Sequence, residues 1–185
     1  MSLIHAAASC PAAIPTYTPA VASPDARRAL PDELDTPRLV LRAPHPDQAV
    51  PYVAAIAESF EQLHRWMPWA TSVPTLDEER AILAERARAH RDGSDPAYTM
   101  FRRADGELVG SGGLPRPRWD ERVFEIGYWV RTSCVGRGYV AELVRALAEL
   151  AFGALHARRV EIRTSTRNAR SRRVGLNRDG EHIAN

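Results

Sequence analysis

Lysine is absent from this chain: all 25 basic residues among the 185 are arginine. That excludes a phosphate-loop lysine, a Schiff-base lysine and any other catalytic ammonium side chain. Cysteine is nearly absent, at Cys10 and Cys134 alone. Two cysteines so far apart offer neither metal-ligand spacing nor a disulfide framework. No metal is therefore expected, and a reducing, cytoplasmic setting is. No run reaches the ~18 apolar residues of a membrane span. The start, Met1-Ser-Leu-Ile-His5, lacks the basic and apolar regions of a signal peptide. A net charge of +2 is too small to argue for nucleic acid on its own.

What remains suffices for one domain: with 44% hydrophobic residues, the chain can bury a sizeable core. Residues 1–34 are rich in Ala, Pro and Ser, and five prolines from Pro11 to Pro31 break any helix. They are expected to be a disordered extension, with the domain spanning 35–185.

Periodicity orders the rest. Leu39 and Leu41 alternate with charge over Arg38–Arg42, as in a half-buried strand. A helix opens at Pro46-Asp47 and runs to about Ser59. An aromatic segment, Leu63-His-Arg-Trp-Met-Pro-Trp69, follows. Thr75-Leu-Asp-Glu78 fits a capping box that starts a second helix, to about His90. Asp105-Gly106 marks a hairpin between 98–103 and 107–114, and 122–130 is expected as the third strand of that meander. Val140, Leu143, Val144, Leu147 and Ala151 form one helical stripe. Strand 159–164 and a short helix 168–174 close an α+β order. His45, His64, His90 and His156 have no partner spacing and are expected at the surface or in caps.

The stretch from Phe124 to Leu147 is the most informative. It reads as strand, Gly136-Arg-Gly138 turn, then amphipathic helix. That order gathers free backbone N–H groups at a helix N-terminus, where phosphate binds.

Six segments, in this order, resemble one family. They are Thr36-Pro-Arg-Leu-Val-Leu-Arg42, Trp66-Met-Pro-Trp69, Gly106-Glu-Leu-Val-Gly110, Glu125-Ile-Gly-Tyr-Trp129, Gly136-Arg-Gly-Tyr139 and Asn168-Ala-Arg-Ser171. The chain is similar to the GNAT N-acetyltransferases, in particular to the RimJ/RimL-like branch. The resemblance implies a three-layer GNAT fold, with a mixed, mostly antiparallel sheet between helices. It implies acetyl-CoA as cofactor, with Tyr128, Trp129 and Val130 pairing the pantetheine arm. Gly136, Arg137, Gly138, Tyr139, Val140 and Ala141 would bind the pyrophosphate, and Asn168 would contact the cofactor. Ser171 would lie near the thiol as an acid. Trp66 and Trp69 would wall the acceptor pocket. Val135 and Val140 depart from the family pattern, which prefers Gln or Arg and Gly or Ala there. After Val174 the family continues with a Leu-Gly-Phe element and two strands. Residues 175–185 have no strand period, so the sheet is expected to lack those strands.

Acetylation needs an uncharged amine and a proton for the leaving thiolate. An α-amine, with pKa ~8, is about one-tenth neutral at pH 7, so a modest base suffices. Glu125 is the candidate base. It shares a strand face with Gly127, which leaves room beside it, and its neighbours Phe124 and Ile126 are apolar. The alternative is a sheet-edge carboxylate paired with one of many arginines. Asn168 could equally be a helix cap, and Ser171 a polar residue in a first helical turn.

The acceptor is expected to be a peptide N-terminal amine or a small amine, and a homodimer is left open. Eight arginines between Arg158 and Arg178 raise an RNA-binding module as one alternative, though no aromatics interleave them. A catalytically impaired remnant that still binds CoA is the other.

Overall fold

The computed structural model describes residues 3–4 and 30–174. Along them run β1 (Leu3–Ile4), β2 (Glu33–Asp35), β3 (Leu39–Arg42), α1 (Ala49–Trp66), α2 (Leu76–Asp92), β4 (Ala97–Arg102) and β5 (Leu108–Gly113). Then come β6 (Val123–Glu125), β7 (Gly127–Val130), α3 (Tyr139–Phe152), β8 (Arg159–Arg163) and α4 (Ala169–Val174). The domain boundary expected at residue 35 falls inside β2, and β1 lies within the expected extension. Residues 175–185, for which no strand is expected, lie outside the described residues.

Local chemistry explains the helix ends. The Thr75 hydroxyl accepts from Glu78 N–H at 3.3 Å, and the Glu78 carboxylate accepts from Thr75 N–H at 2.7 Å. This is the expected capping box. Gly93, at φ 74°, caps the other end of α2. A single 3-10 turn, Pro46–Gln48, leads into α1. That helix runs past Ser59 to Trp66, through part of the segment expected beyond its end. It stops where Met67 turns extended, because a residue before proline disfavours the α region.

β2-β3-β4-β5-β7 form one antiparallel sheet. β6 instead pairs in parallel with β8, and β1 pairs antiparallel with β8's other edge. The third meander strand expected over 122–130 is therefore two strands. The break falls at Ile126, whose N–H donates to Glu161 O at 2.7 Å while Gly127 pairs with Gly113. Within one residue the chain changes partner. Side-chain alternation cannot signal such a change, because it records faces and not neighbours.

Two cores make three layers. Leu39, Leu41, Tyr98, Met100, Phe124 and Ile126 pack with Leu143 and Leu147 of α3 on one face. Tyr52, Ile56 and Leu63 of α1 and Leu83 of α2 pack with Leu108 and Trp129 on the other. Packing against Tyr98 also corrects one expectation. His90 is buried, not at the surface: it stacks edge-on to Tyr98 at 5.0 Å and accepts from Ala97 N–H. Burial pushes its pKa down.

Candidate active site

Because β6 stays with β8 while β7 stays with β5, a wedge opens beyond Glu125 and Glu161. Arg131 N–H donates to Val109 O at 2.9 Å, and backbone groups along a strand alternate in direction. Trp129 is thus turned towards β5. The N–H and C=O groups of Tyr128 and Val130 point into the wedge. Of the three residues expected to pair a pantetheine arm, two present a free backbone edge, and Trp129 offers its ring instead.

The wedge lies within a cleft of about 1260 Å³. At one end stands the Gly136-Arg-Gly138 turn. Both glycines have φ +80°, which L side chains seldom adopt, and a Cβ on Gly136 would meet nothing within 4 Å. Gly138 caps α3 without any side-chain cap, so the first N–H groups of the helix have no intrahelical partner. Gly136, Gly138, Tyr139, Val140 and Ala141 all line the cleft. Arg137 does not: it is exposed, and its engaged group is its carbonyl, which accepts from Arg38 Nη1 at 2.9 Å.

That contact belongs to a latch the sequence did not reveal. Glu142, the one acidic residue in the first turn of α3, accepts from Thr36 Oγ1 at 2.6 Å. It also accepts from Arg38 N–H and from Arg38 Nε, each at 2.7 Å. Burial raises the Glu142 pKa, but these bonds outweigh it and hold the carboxyl below the usual range. The Arg38 guanidinium also lies 5.0 Å from the Tyr139 ring centroid. The segment 36–38 therefore braces the turn from behind. The lone acid at the start of α3 was the available signal.

Glu125 lines the cleft at the point where β6 and β8 part, and its carboxylate lies 3.3 Å from Arg163 Nε. It is thus both cleft-lining and paired with an arginine. Ser171 lines the cleft on α4, and its Oγ is 2.8 Å from the Tyr128 hydroxyl. This pair joins β7 to α4, and sequence reasoning saw only the backbone of Tyr128. Burial raises the phenol's pKa, and the Ser171 bond partly offsets that. Asn168 caps α4 through Oδ1, which accepts from Ser171 N–H at 3.1 Å, and it also lines the cleft. Its cap role orients Ser171 directly.

Trp66 and Trp69 also line the cleft, and Trp69 is tilted against Trp129 at 6.4 Å. Arg86, Arg116, Arg163, Arg167, Arg170 and Arg173 face the cleft, against two carboxylates, Asp95 and Glu125. That surplus favours an anionic ligand. Among the described residues no group of side chains could hold a metal ion, and no helix is long and apolar enough to cross a membrane.

A split sheet, a free strand edge and a double-glycine turn at a helix start define an acyl-CoA-type transferase scaffold. The family's sequence model, "Acetyltransferase (GNAT) domain", matches residues 38–177. The chain belongs to the GNAT acetyltransferases, as its six ordered segments implied. A Bacillus subtilis (strain 168) relative, "Putative ribosomal N-acetyltransferase YdaF", is 27% identical over 149 residues, covering 77% of this chain and 80% of the relative. Among solved structures, the microcin C7 self-immunity acetyltransferase MccE, in complex with acetyl-CoA and AMP, has a TM-score of 0.70 at 15% identity, covering 76% of this chain and 77% of that one. Mycobacterium smegmatis RimJ, in complex with CoA-disulfide, has a TM-score of 0.67 at 22% identity, covering 79% and 76%. At those identities the two structures speak for the fold. Neither the RNA-binding module nor the impaired remnant finds support in these matches.

Proposed function

We propose that this protein transfers the acetyl group of acetyl-CoA to a primary amine, with the α-amine of a protein N-terminus as acceptor. The wedge beside β7, ending at the Gly136–Gly138 turn, is the observation that supports the donor most directly. A thioester arm can add to Tyr128 and Val130 as an extra strand. Its diphosphate meets the unpaired N–H groups at the start of α3, where the helix dipole adds ~0.3–1 kcal/mol per favourable charge. Apart from Arg163, which pairs with Glu125 and Glu161, the arginines along the cleft suit the same polyanion. The assignment of a protein N-terminus follows the naming of YdaF as a ribosomal N-acetyltransferase. It also follows from the modest base an α-amine requires.

Bound acetyl-CoA supplies an activated acetyl thioester, open to direct attack by the amine. Glu125 takes the proton from the amine, directly or through one water. Ser171 delivers a proton to the departing sulfur. When the Tyr128 hydroxyl donates to Ser171 Oγ, the serine's own proton is free to point into the cleft. Asn168 sets the start of α4 and hence the direction of Ser171. Trp66 and Trp69 wall the acceptor end. The buried free thiol of Cys134 fits a reducing cytoplasm.

Calorimetry with acetyl-CoA tests the donor. Binding in the micromolar range is expected, and no heat at millimolar ligand would overturn the proposal. Glu125→Gln should cut turnover while leaving acetyl-CoA affinity within about twofold.

A further inference from the structure

Two residues past the last β6–β8 pair, Arg163 reaches two carboxylates at once. Its Nε is 3.3 Å from Glu125 Oε2, and its Nη2 donates to Glu161 Oε2 at 3.3 Å. The two acids differ in kind. The Glu161 side chain is only 4% exposed, and two further arginines hold it: Arg159 Nη2 at 2.6 Å and Arg118 Nη2 at 3.4 Å. Arg118 in turn lies 3.5 Å from Glu121. Glu161 is therefore a fixed anchor inside the sheet. The Glu125 side chain is 22% exposed and faces the cleft, and its one ion-pair partner among the described residues is Arg163.

A carboxylate lining an open cleft can turn about its side-chain torsions, and a base that has turned away is out of reach of its proton. A planar guanidinium resists that turning, because its donors keep a rigid fork geometry. Here one arm of the fork is tied to the anchor. We propose that Arg163 is a positioning residue: hung on Glu161, it holds the Glu125 carboxylate at the mouth of the wedge, so that the β8 ion cluster sets the orientation of the base. This rests on the reading of Glu125 as base given above. The device sits where β6 and β8 part, so the same split that opens the cleft also brings the tether to its edge.

The test uses the full chain, acetyl-CoA and a short peptide with a free α-amine. Arg163→Gln, Arg163→Lys, Glu125→Gln and the double glutamine variant are compared for kcat, KM, acetyl-CoA Kd and Tm. Arg163→Gln should lower kcat about tenfold to a hundredfold, the scale of a misplaced catalytic group. Acetyl-CoA Kd should stay within about twofold. Arg163→Lys should recover part of the loss, since an ammonium reaches one carboxylate but cannot fork between two. In the Glu125→Gln background, Arg163→Gln should cost nothing further.

Three results would overturn the proposal: additive losses in the double variant, a loss confined to acetyl-CoA affinity, or full turnover in Arg163→Gln. If Glu125→Gln itself keeps full turnover, the base assignment falls and the tether with it. If Glu125→Gln is slow but Arg163→Gln is not, only the tether falls. Should Arg163→Gln fail to fold, Glu161→Gln frees the same guanidinium and is expected to show the same fall in kcat at unchanged Kd.

Discussion

Removing the carboxylate of Glu142 should loosen both the fold and the phosphate-binding turn, by amounts the contacts predict. Its side chain is 9% exposed and takes bonds from the Thr36 hydroxyl and the Arg38 backbone N–H. The third bond, from the Arg38 side chain, has a donor that is 51% exposed. That last pair is screened and contributes ~0–1 kcal/mol. The other two bonds, one part-buried and one exposed, go to a charged acceptor and together contribute ~2–3 kcal/mol, so Glu142→Ala should cost about 3 kcal/mol. For a chain of this size that lowers Tm by roughly 6–12 °C. Glu142→Gln keeps one acceptor oxygen and should cost about half as much.

The pH dependence has a definite sign. The folded carboxyl is held below its ordinary range, so its stabilisation is fully present above the unfolded value of ~4.3. It is lost as pH falls through the folded value. The Tm gap between wild type and Glu142→Gln should therefore be widest near pH 7 and close below pH 4. Arg38 holds the Arg137 carbonyl and covers Tyr139, so releasing it should also raise the acetyl-CoA Kd, about threefold to tenfold. Thermal unfolding from pH 3 to 8 and calorimetry at pH 7 measure both effects. A Tm gap under 1 °C, or one that ignores pH, would refute the reasoning.

Other perturbations probe separate layers. Gly112→Ala would place a Cβ 2.5 Å from Leu143 Cδ2 and 2.8 Å from Gly127 O, so chemical unfolding should show a loss of about 1–3 kcal/mol as α3 is pushed off the sheet. Tyr128→Phe and Ser171→Ala should each slow turnover at unchanged acetyl-CoA affinity, and their combination should be no worse than the poorer single variant; additive losses in steady-state rates would separate the pair. Glu79 is buried, and burial raises its carboxyl to about 7 against the pull of Arg86. Its folded form holds a proton that the unfolded chain releases near pH 4.3, so stability falls as pH rises from there to about 7. Glu79→Gln should raise Tm at pH 8 and leave it nearly unchanged at pH 4, and equal shifts at both would argue against a protonated Glu79.

Sequence alone determined what depends on neighbours in the chain. The α2 capping box, the alternation of Leu39 and Leu41, the apolar stripe of α3 and the Gly136–Gly138 turn follow from short spacings, and each stands in the structure. The order of six segments was enough to place the chain among the GNAT acetyltransferases. Strand partners lay beyond that reach. A period of two tells which face a residue takes, but not which strand lies beside it, so the exchange of partners at Ile126 was invisible. That exchange opens the wedge and brings Arg163 to Glu125. The Tyr128–Ser171 and Glu142–Arg38 contacts join residues 43 and 104 positions apart, a separation that no local pattern encodes. The residues offered for the site sit on local motifs, and all but Arg137 line the cleft, whereas the tethers that orient them exist only once the sheet has split and the helices have closed over it.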